Sequence, residues 1–93
     1  MPKITLYQTP SFKKVFKKLY AKQQAEVKAA IRTLLQNPQS GELKKGDLRF
    51  LRVYKFKMSG QLTLLGYAYE EEKLVLELLA LGTHENFYRD LKR

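Results

Sequence analysis

The spacing of hydrophobic residues changes twice along the chain. Residues 3–8, KITLYQ, alternate apolar and polar side chains, which predicts a short half-buried strand. Residues 12–36 place apolar side chains at intervals of three and four, the pattern of amphipathic helices. From residue 48 onward the period returns to two, which predicts further strands.

Two helices are predicted after the first strand. Thr9 and Pro10 are typical of a helix start, because a hydroxyl can cap the first turn and that turn does not use the N–H that proline lacks. The first helix has lysines on the side opposite its aromatic residues. The second covers residues 21–36 and stops before Pro38. We therefore expect a helical hairpin bent near Tyr20.

Three strands and a short helix are predicted in the last half of the chain. The strands are LRFLRVYKFK (48–57), QLTLLGYAYE (61–70) and KLVLELLAL (73–81), and their short connections predict an antiparallel meander. The last segment, residues 84–93, can form a short C-terminal helix with basic residues at its end. If the N-terminal strand joins the meander, residues 1–93 form one α+β domain, with a helical hairpin packed on an antiparallel sheet of about four strands.

Charge narrows the choice of partner. The chain has 18 Lys and Arg against 9 Asp and Glu, a net charge of +9. Residues 1–57 hold 14 of the basic and 3 of the acidic residues, so this part carries the whole positive field. Such a field attracts polyanions, which favours nucleic acid as the partner. An acidic protein, a membrane surface or a merely solvated lysine face are the alternatives.

Composition excludes several kinds of site. The chain has no cysteine, which excludes disulfides, thiolate metal sites and a thiol nucleophile. It also has no signal-like N-terminus and no apolar run long enough to span a bilayer. We therefore expect a soluble, cytoplasmic protein, and among the partners that the charge allows we do not expect a membrane.

A pair of lysines is the first candidate for chemistry. Lys55 and Lys57 are two residues apart on a predicted strand, so they project from one face with their roots roughly 7 Å apart, a spacing that suits adjacent phosphates. Arg49 shares that face, and Arg52 lies close by on the other. The alternative is that these side chains lie on a solvated strand face and bind nothing.

The single histidine is the second candidate. His84 lies two residues beyond Gly82, where the last predicted strand ends, and an imidazole can accept or donate a proton near pH 7. A lone histidine in this position is otherwise a turn or cap residue. Tyr88, one helical turn further on, points the same way and offers a hydroxyl group, whereas Phe87 packs inward or stacks on a base.

Taken in order, LKKGDLRFLRVYKFK, the strand meander and ALGTHENFYRDLKR resemble the RelE/ParE superfamily of toxins from bacterial type II toxin-antitoxin systems, over nearly the whole chain. The resemblance implies a cognate antitoxin protein as partner. It also implies one of two activities. RelE-type members cut mRNA in the A site of the 30S ribosomal subunit, whereas ParE-type members poison DNA gyrase and cleave no RNA.

The RelE-type resemblance implies roles for particular residues. The 2′-hydroxyl of the message is the nucleophile and the product is a 2′,3′-cyclic phosphate, so neither a metal nor another cofactor is expected. Lys55 and Lys57 match the strand lysines of RelE, His84 stands where relatives have a catalytic arginine or histidine, and Tyr88 matches a C-terminal tyrosine. Side chains that we expect to bind the RNA are Lys44, Lys45, Arg49, Arg52 and Phe87.

One departure from RelE concerns the turn between the first two meander strands. RelE has an arginine just after the glycine of this turn, whereas this chain has Gln61 and Leu62 after Gly60. A lost phosphate contact of this kind reduces the rate by about 10² or more. Arg49 or Arg52 is the candidate replacement. We expect an mRNA endoribonuclease, with the gyrase inhibitor as the alternative.

Overall fold

The fold is given by a computed structural model that describes residues 3–44, 51–83 and 87. Within this part of the chain a mixed sheet carries two helices on one face. The helices are α1 (Pro10–Lys17) and α2 (Ala21–Gln36). The strands are β1 (Thr5–Gln8), β2 (Glu42–Leu43), β3 (Arg52–Met58), β4 (Gln61–Glu70) and β5 (Val75–Gly82).

Thr9 starts α1 and ties it to the sheet. Its hydroxyl oxygen accepts a hydrogen bond from the Phe12 N–H at 3.3 Å, as expected for a helix cap, and Pro10 follows in the first turn. The same oxygen lies 3.0 Å from the Leu78 carbonyl and 3.2 Å from that of Leu79, both in β5. The cap that local sequence predicts therefore also fixes where the helix leaves the sheet.

The strand order in the sheet is β1-β5-β4-β3-β2. Strands β2 to β5 pair antiparallel, as the short connections predict, whereas β1 pairs parallel with β5. The predicted α+β class and the helical hairpin are confirmed. Over residues 3–44 and 51–83, however, the sheet has five strands instead of about four and is mixed instead of antiparallel.

Both differences come from pairing between distant residues. The helical hairpin carries the chain across the sheet before the meander begins, so β1 and β5 run in the same direction. Strand β2 is only two residues long, in a segment whose glycines predict a turn, and it forms by pairing with β3. The predicted C-terminal helix lies outside the described residues except for Phe87, which is helical.

Two hydrophobic clusters hold the layers together. The larger one fills the space between the helices and the sheet, around Phe12, Leu34 and Tyr67. The smaller one lies on the other face of the sheet and consists of Leu51, Val53, Leu64 and Phe87. The sheet face opposite the helices is therefore partly covered and partly open. None of the helices in the described residues is long and apolar enough to cross a membrane.

Candidate active site

Strand β3 presents Lys55 and Lys57 on the open face of the sheet, the face that does not carry the helices. The alternate residues Tyr54 and Phe56 pack into the larger hydrophobic cluster, and their rings stack on each other with centroids 6.1 Å apart. Val53 belongs to the smaller cluster on the opposite side. Because side chains alternate along a strand, the two lysines share Val53's face, and both are exposed.

The ends of three strands meet around this lysine pair. Lys55 pairs with Leu64 of β4, which in turn pairs with Gly82 at the end of β5. Two strand spacings separate Lys55 from Gly82, about 10 Å. Lys57 pairs with Leu62, whose side chain is 48% exposed. The open face thus offers two cations beside an exposed leucine, close to the point where β5 ends.

Four of the predicted site residues, His84, Tyr88, Arg49 and Lys45, lie outside the described residues. Their roles stay predictions.

Arg52 lies on the helix side of the sheet and not beside the two lysines. Its Nη1 donates a hydrogen bond to the Gly41 carbonyl at 3.1 Å, and its partner across the strands is Tyr67. The guanidinium therefore holds the segment that leads into β2. This contact leaves Arg52 poorly placed to share a phosphate with Lys55.

Tyr67 completes this connection and was not found by sequence reasoning. Its hydroxyl accepts a hydrogen bond from the Gly41 N–H at 2.9 Å and donates one to the Pro38 carbonyl at 2.6 Å. Burial raises the pKa of Tyr67 above its usual value of 10.0, and the Gly41 hydrogen bond and the charge of Arg52 offset part of that rise. A Cβ atom at position 41 would lie 2.7 Å from the tyrosine ring, so glycine is needed there.

Lys44 lies beside an acidic residue at the edge of the sheet. Its Nζ is 3.6 Å from Oε1 of Glu42, and its backbone N–H donates to the Leu51 carbonyl at 2.9 Å. Part of its charge is therefore compensated within the protein.

Phe87 is an anchor on the open face. Its side chain is 1% exposed, and its N–H donates to the Thr83 carbonyl at 2.8 Å. A Cβ atom at Gly66 would lie 2.5 Å from Cζ of the ring, so the ring rests directly on the backbone of β4. In this position Phe87 has no ring surface for stacking on a base; it ties the chain after β5 to the sheet.

The turn between β3 and β4 is fastened to α2. Ser59 and Gly60 both have positive φ, 52° and 80°, as in the type I′ turn of a two-residue hairpin. The Ser59 N–H donates to both carboxylate oxygens of Glu26, at 3.2 and 3.0 Å. Glu26 is the only acidic residue in the first 41 positions, a signal that could have drawn attention to it.

Comparison with known proteins identifies related folds. A family model described as ParE-like toxin of type II bacterial toxin-antitoxin system matches residues 6–92. No curated protein shows significant sequence similarity to the chain.

Among solved structures, a chain of the toxin-antitoxin complex RelBE2 from Mycobacterium tuberculosis superposes with a TM-score of 0.75 and 18% identity, over 89% of this chain and 100% of that one. The free E. coli toxin RelE, as a double arginine-to-alanine mutant, gives 0.72 and 20%, over 91% and 87%. A chain of the intact E. coli RelBE complex gives 0.70 and 21%, over 86% and 95%. At these identities the matches show a common fold.

Proposed function

The chain belongs to the ParE-like toxin family of bacterial type II toxin-antitoxin systems, as the sequence predicts, and we propose that it inhibits translation by cleaving mRNA on the ribosome. The observation that carries this proposal is the exposed pair Lys55 and Lys57 on the open face of the sheet. Lys55 is aligned across β4 with Gly82, the last residue of β5. Two cations at this spacing suit adjacent phosphates of a message. The structural likeness to RelE supports the same choice.

The proposed reaction needs no external nucleophile. The 2′-hydroxyl oxygen attacks the adjacent phosphorus, the bond to the 5′-oxygen breaks, and a 2′,3′-cyclic phosphate remains. One proton leaves the 2′-hydroxyl and another is delivered to the departing 5′-oxygen. The ammonium groups of Lys55 and Lys57 stabilise the negative charge that develops on the phosphorane oxygens.

We assign the proton transfers to His84 with Tyr88 or a lysine as its counterpart. His84 follows Gly82 by two residues. Gly82 is the last residue of β5 and is aligned with Lys55 across β4. The partners in this proposal are the A site of the 30S ribosomal subunit with its mRNA, and a cognate antitoxin. The antitoxin is supported by the toxin-antitoxin complexes that share the fold.

The alternative function is inhibition of DNA gyrase. One observation favours it: the turn at Ser59 and Gly60 has no arginine after it, and Leu62 is exposed there instead. Arg52 does not replace that arginine, because it bonds to Gly41 on the other side of the sheet. A surface with an exposed leucine beside lysines also suits a protein target.

Translation in vitro separates the two functions. Purified ribosomes carrying a defined message are treated with the wild-type chain, with Lys55→Ala/Lys57→Ala and with His84→Ala, and the message ends are mapped. We expect cleavage within the A-site codon by the wild type and a loss of at least about 10² in rate in either variant. The matched control is Lys22→Ala/Lys73→Ala, which removes the same charge from exposed positions elsewhere.

The contrary outcome is equally specific. Intact message with the wild-type chain, together with inhibition of gyrase supercoiling, would establish the alternative function. Circular dichroism of each variant guards against misfolding.

A further inference from the structure

The end of the hairpin formed by β3 and β4, which carries Lys57, extends beyond the rest of the sheet. Strand β2 pairs with only the first two residues of β3, and β5 pairs with β4 only from Leu64 onward. Among the described strands, residues 56–63 therefore pair only with each other, and we call them the hairpin tip. A two-stranded ribbon is marginally stable on its own. The position of Lys57 consequently depends on what else holds the tip.

The turn of the hairpin tip is weak by its own sequence. Phe56 and Met58 pack against the larger hydrophobic cluster, whereas the turn itself has no apolar side chain. Ser59 and Gly60 have φ of 52° and 80°. Glycine adopts such values freely, but for serine the left-handed region is unfavourable. A serine in this conformation persists only where other contacts hold it.

Glu26 supplies such a contact from α2. Both of its carboxylate oxygens accept the Ser59 N–H, at 3.2 and 3.0 Å. Hydrogen bonds to a charged acceptor are about twice as strong as neutral ones. Glu26 and Lys57 also line one cleft of about 280 Å³ between α2 and β3. The carboxylate therefore holds the turn from the helix side of the sheet, two residues from a lysine that reaches the open face.

We propose that Glu26 is a positioning residue, which fixes the ammonium group of Lys57 against a phosphate of the RNA by holding the Ser59 N–H. The inference rests on the proposed function, in which Lys57 stabilises the charge on the phosphorane oxygens. Such stabilisation requires cations that are in place before the reaction, and a displacement of about 1 Å can reduce the rate by about 10². Glu26 itself touches no reacting atom and acts only through the turn.

The kinetics of message cleavage on ribosomes test the proposal. We expect Glu26→Ala to lower kcat by about tenfold and to leave KM within about twofold, since the remaining basic surface still binds. Glu26→Gln, which keeps an acceptor, is expected to recover part of the loss. The matched control is Glu72→Ala, which removes the same charge from the exposed turn between β4 and β5 and is expected to keep wild-type kinetics.

A double-mutant cycle shows whether Glu26 acts through Lys57. We expect Glu26→Ala to cost about tenfold in kcat in the wild-type background but less than about twofold in Lys57→Ala. Ser59→Asn is expected to restore most of the kcat that Glu26→Ala loses, because asparagine followed by glycine favours this turn. A general loss of folding would appear equally in both backgrounds. Equal losses, a change in KM alone, or no recovery by Ser59→Asn would overturn the proposal.

Failure of the proposed function is recognised separately, as an intact message with the wild-type chain. The same cycle is then measured as affinity for a fluorescein-labelled 2′-O-methyl RNA octamer, which has no free 2′-hydroxyl to react. A loss of affinity in Glu26→Ala that disappears in the Lys57→Ala background supports the role of Glu26. Equal losses in both backgrounds, or no loss in either, would overturn it.

Discussion

Tyr67 joins distant parts of the chain through one hydroxyl group, which bonds to Pro38 and Gly41 while its ring fills the larger cluster. We expect Tyr67→Phe to lower the free energy of unfolding by about 1–3 kcal/mol, because it leaves buried backbone groups without partners. Urea denaturation at neutral pH measures the loss. A loss no larger than that of Tyr7→Phe, at a 55% exposed tyrosine, would contradict this role.

The same residue gives the fold an alkaline limit. Because the pKa of Tyr67 is raised in the folded state, the ionised form destabilises the fold. This contribution to stability is complete below pH 10 and is lost as the pH rises through the folded pKa. The comparison is with Tyr67→Phe, whose stability we expect to fall less steeply above pH 10. Parallel slopes in thermal melts would exclude the effect.

Gly66 allows the ring of Phe87 to rest on β4. We expect Gly66→Ala to destabilise the fold by about 1–3 kcal/mol, because the new methyl group would lie only 2.5 Å from Cζ of the ring. Phe87→Leu in the same chain is expected to recover part of this loss, since the smaller side chain leaves room. Unfolding free energies of the two single variants and the double variant measure the coupling; simple additivity would contradict the contact.

At the scale of elements, the hairpin of β3 and β4 depends on α2. The Glu26 carboxylate holds the Ser59 N–H, two residues from Lys57. We expect Glu26→Ala to speed hydrogen exchange at Ser59 by about tenfold, the change that loss of one such hydrogen bond would give. Glu26→Gln, which keeps an acceptor, is the matched control. Its exchange rate at Ser59 is expected to lie between those of the wild type and Glu26→Ala. Equal exchange rates in all three proteins would show that the turn keeps its structure without Glu26.

The elements that the sequence predicts well are those whose signals are local. Thr9 and Pro10 mark the start of α1 correctly, and the period of apolar residues gives α2 at residues 21–36. The parallel pairing of β1 with β5 and the bond from Arg52 to Gly41 join residues that are distant or of unremarkable type, so no local pattern predicts them. Of the candidate site, only the common face of Lys55 and Lys57 follows from the period of a strand.

At the scale of the whole molecule, the positive field and the lysine pair are expected to act together on RNA. Each phosphate neutralised on a single strand contributes about 0.7 to the dependence of log affinity on log salt concentration. We therefore expect Lys55→Ala/Lys57→Ala to reduce this slope by about 1.4, twice that value. Titrations of a short RNA at several salt concentrations measure it, and an unchanged slope would remove these lysines from the RNA interface.

The parallel pairing of β1 with β5 also governs how the protein acquires its fold during synthesis. Thr9 and Leu78, which bond to each other, are 69 positions apart in sequence. Contacts between such distant residues form slowly, because a long loop must close first. In a nascent chain whose β5 has not yet left the ribosome, β1 lacks its pairing partner. The lysine pair Lys55 and Lys57 then lacks the strand that ends beside it. We therefore expect β1 to pair only after β5 has been synthesised.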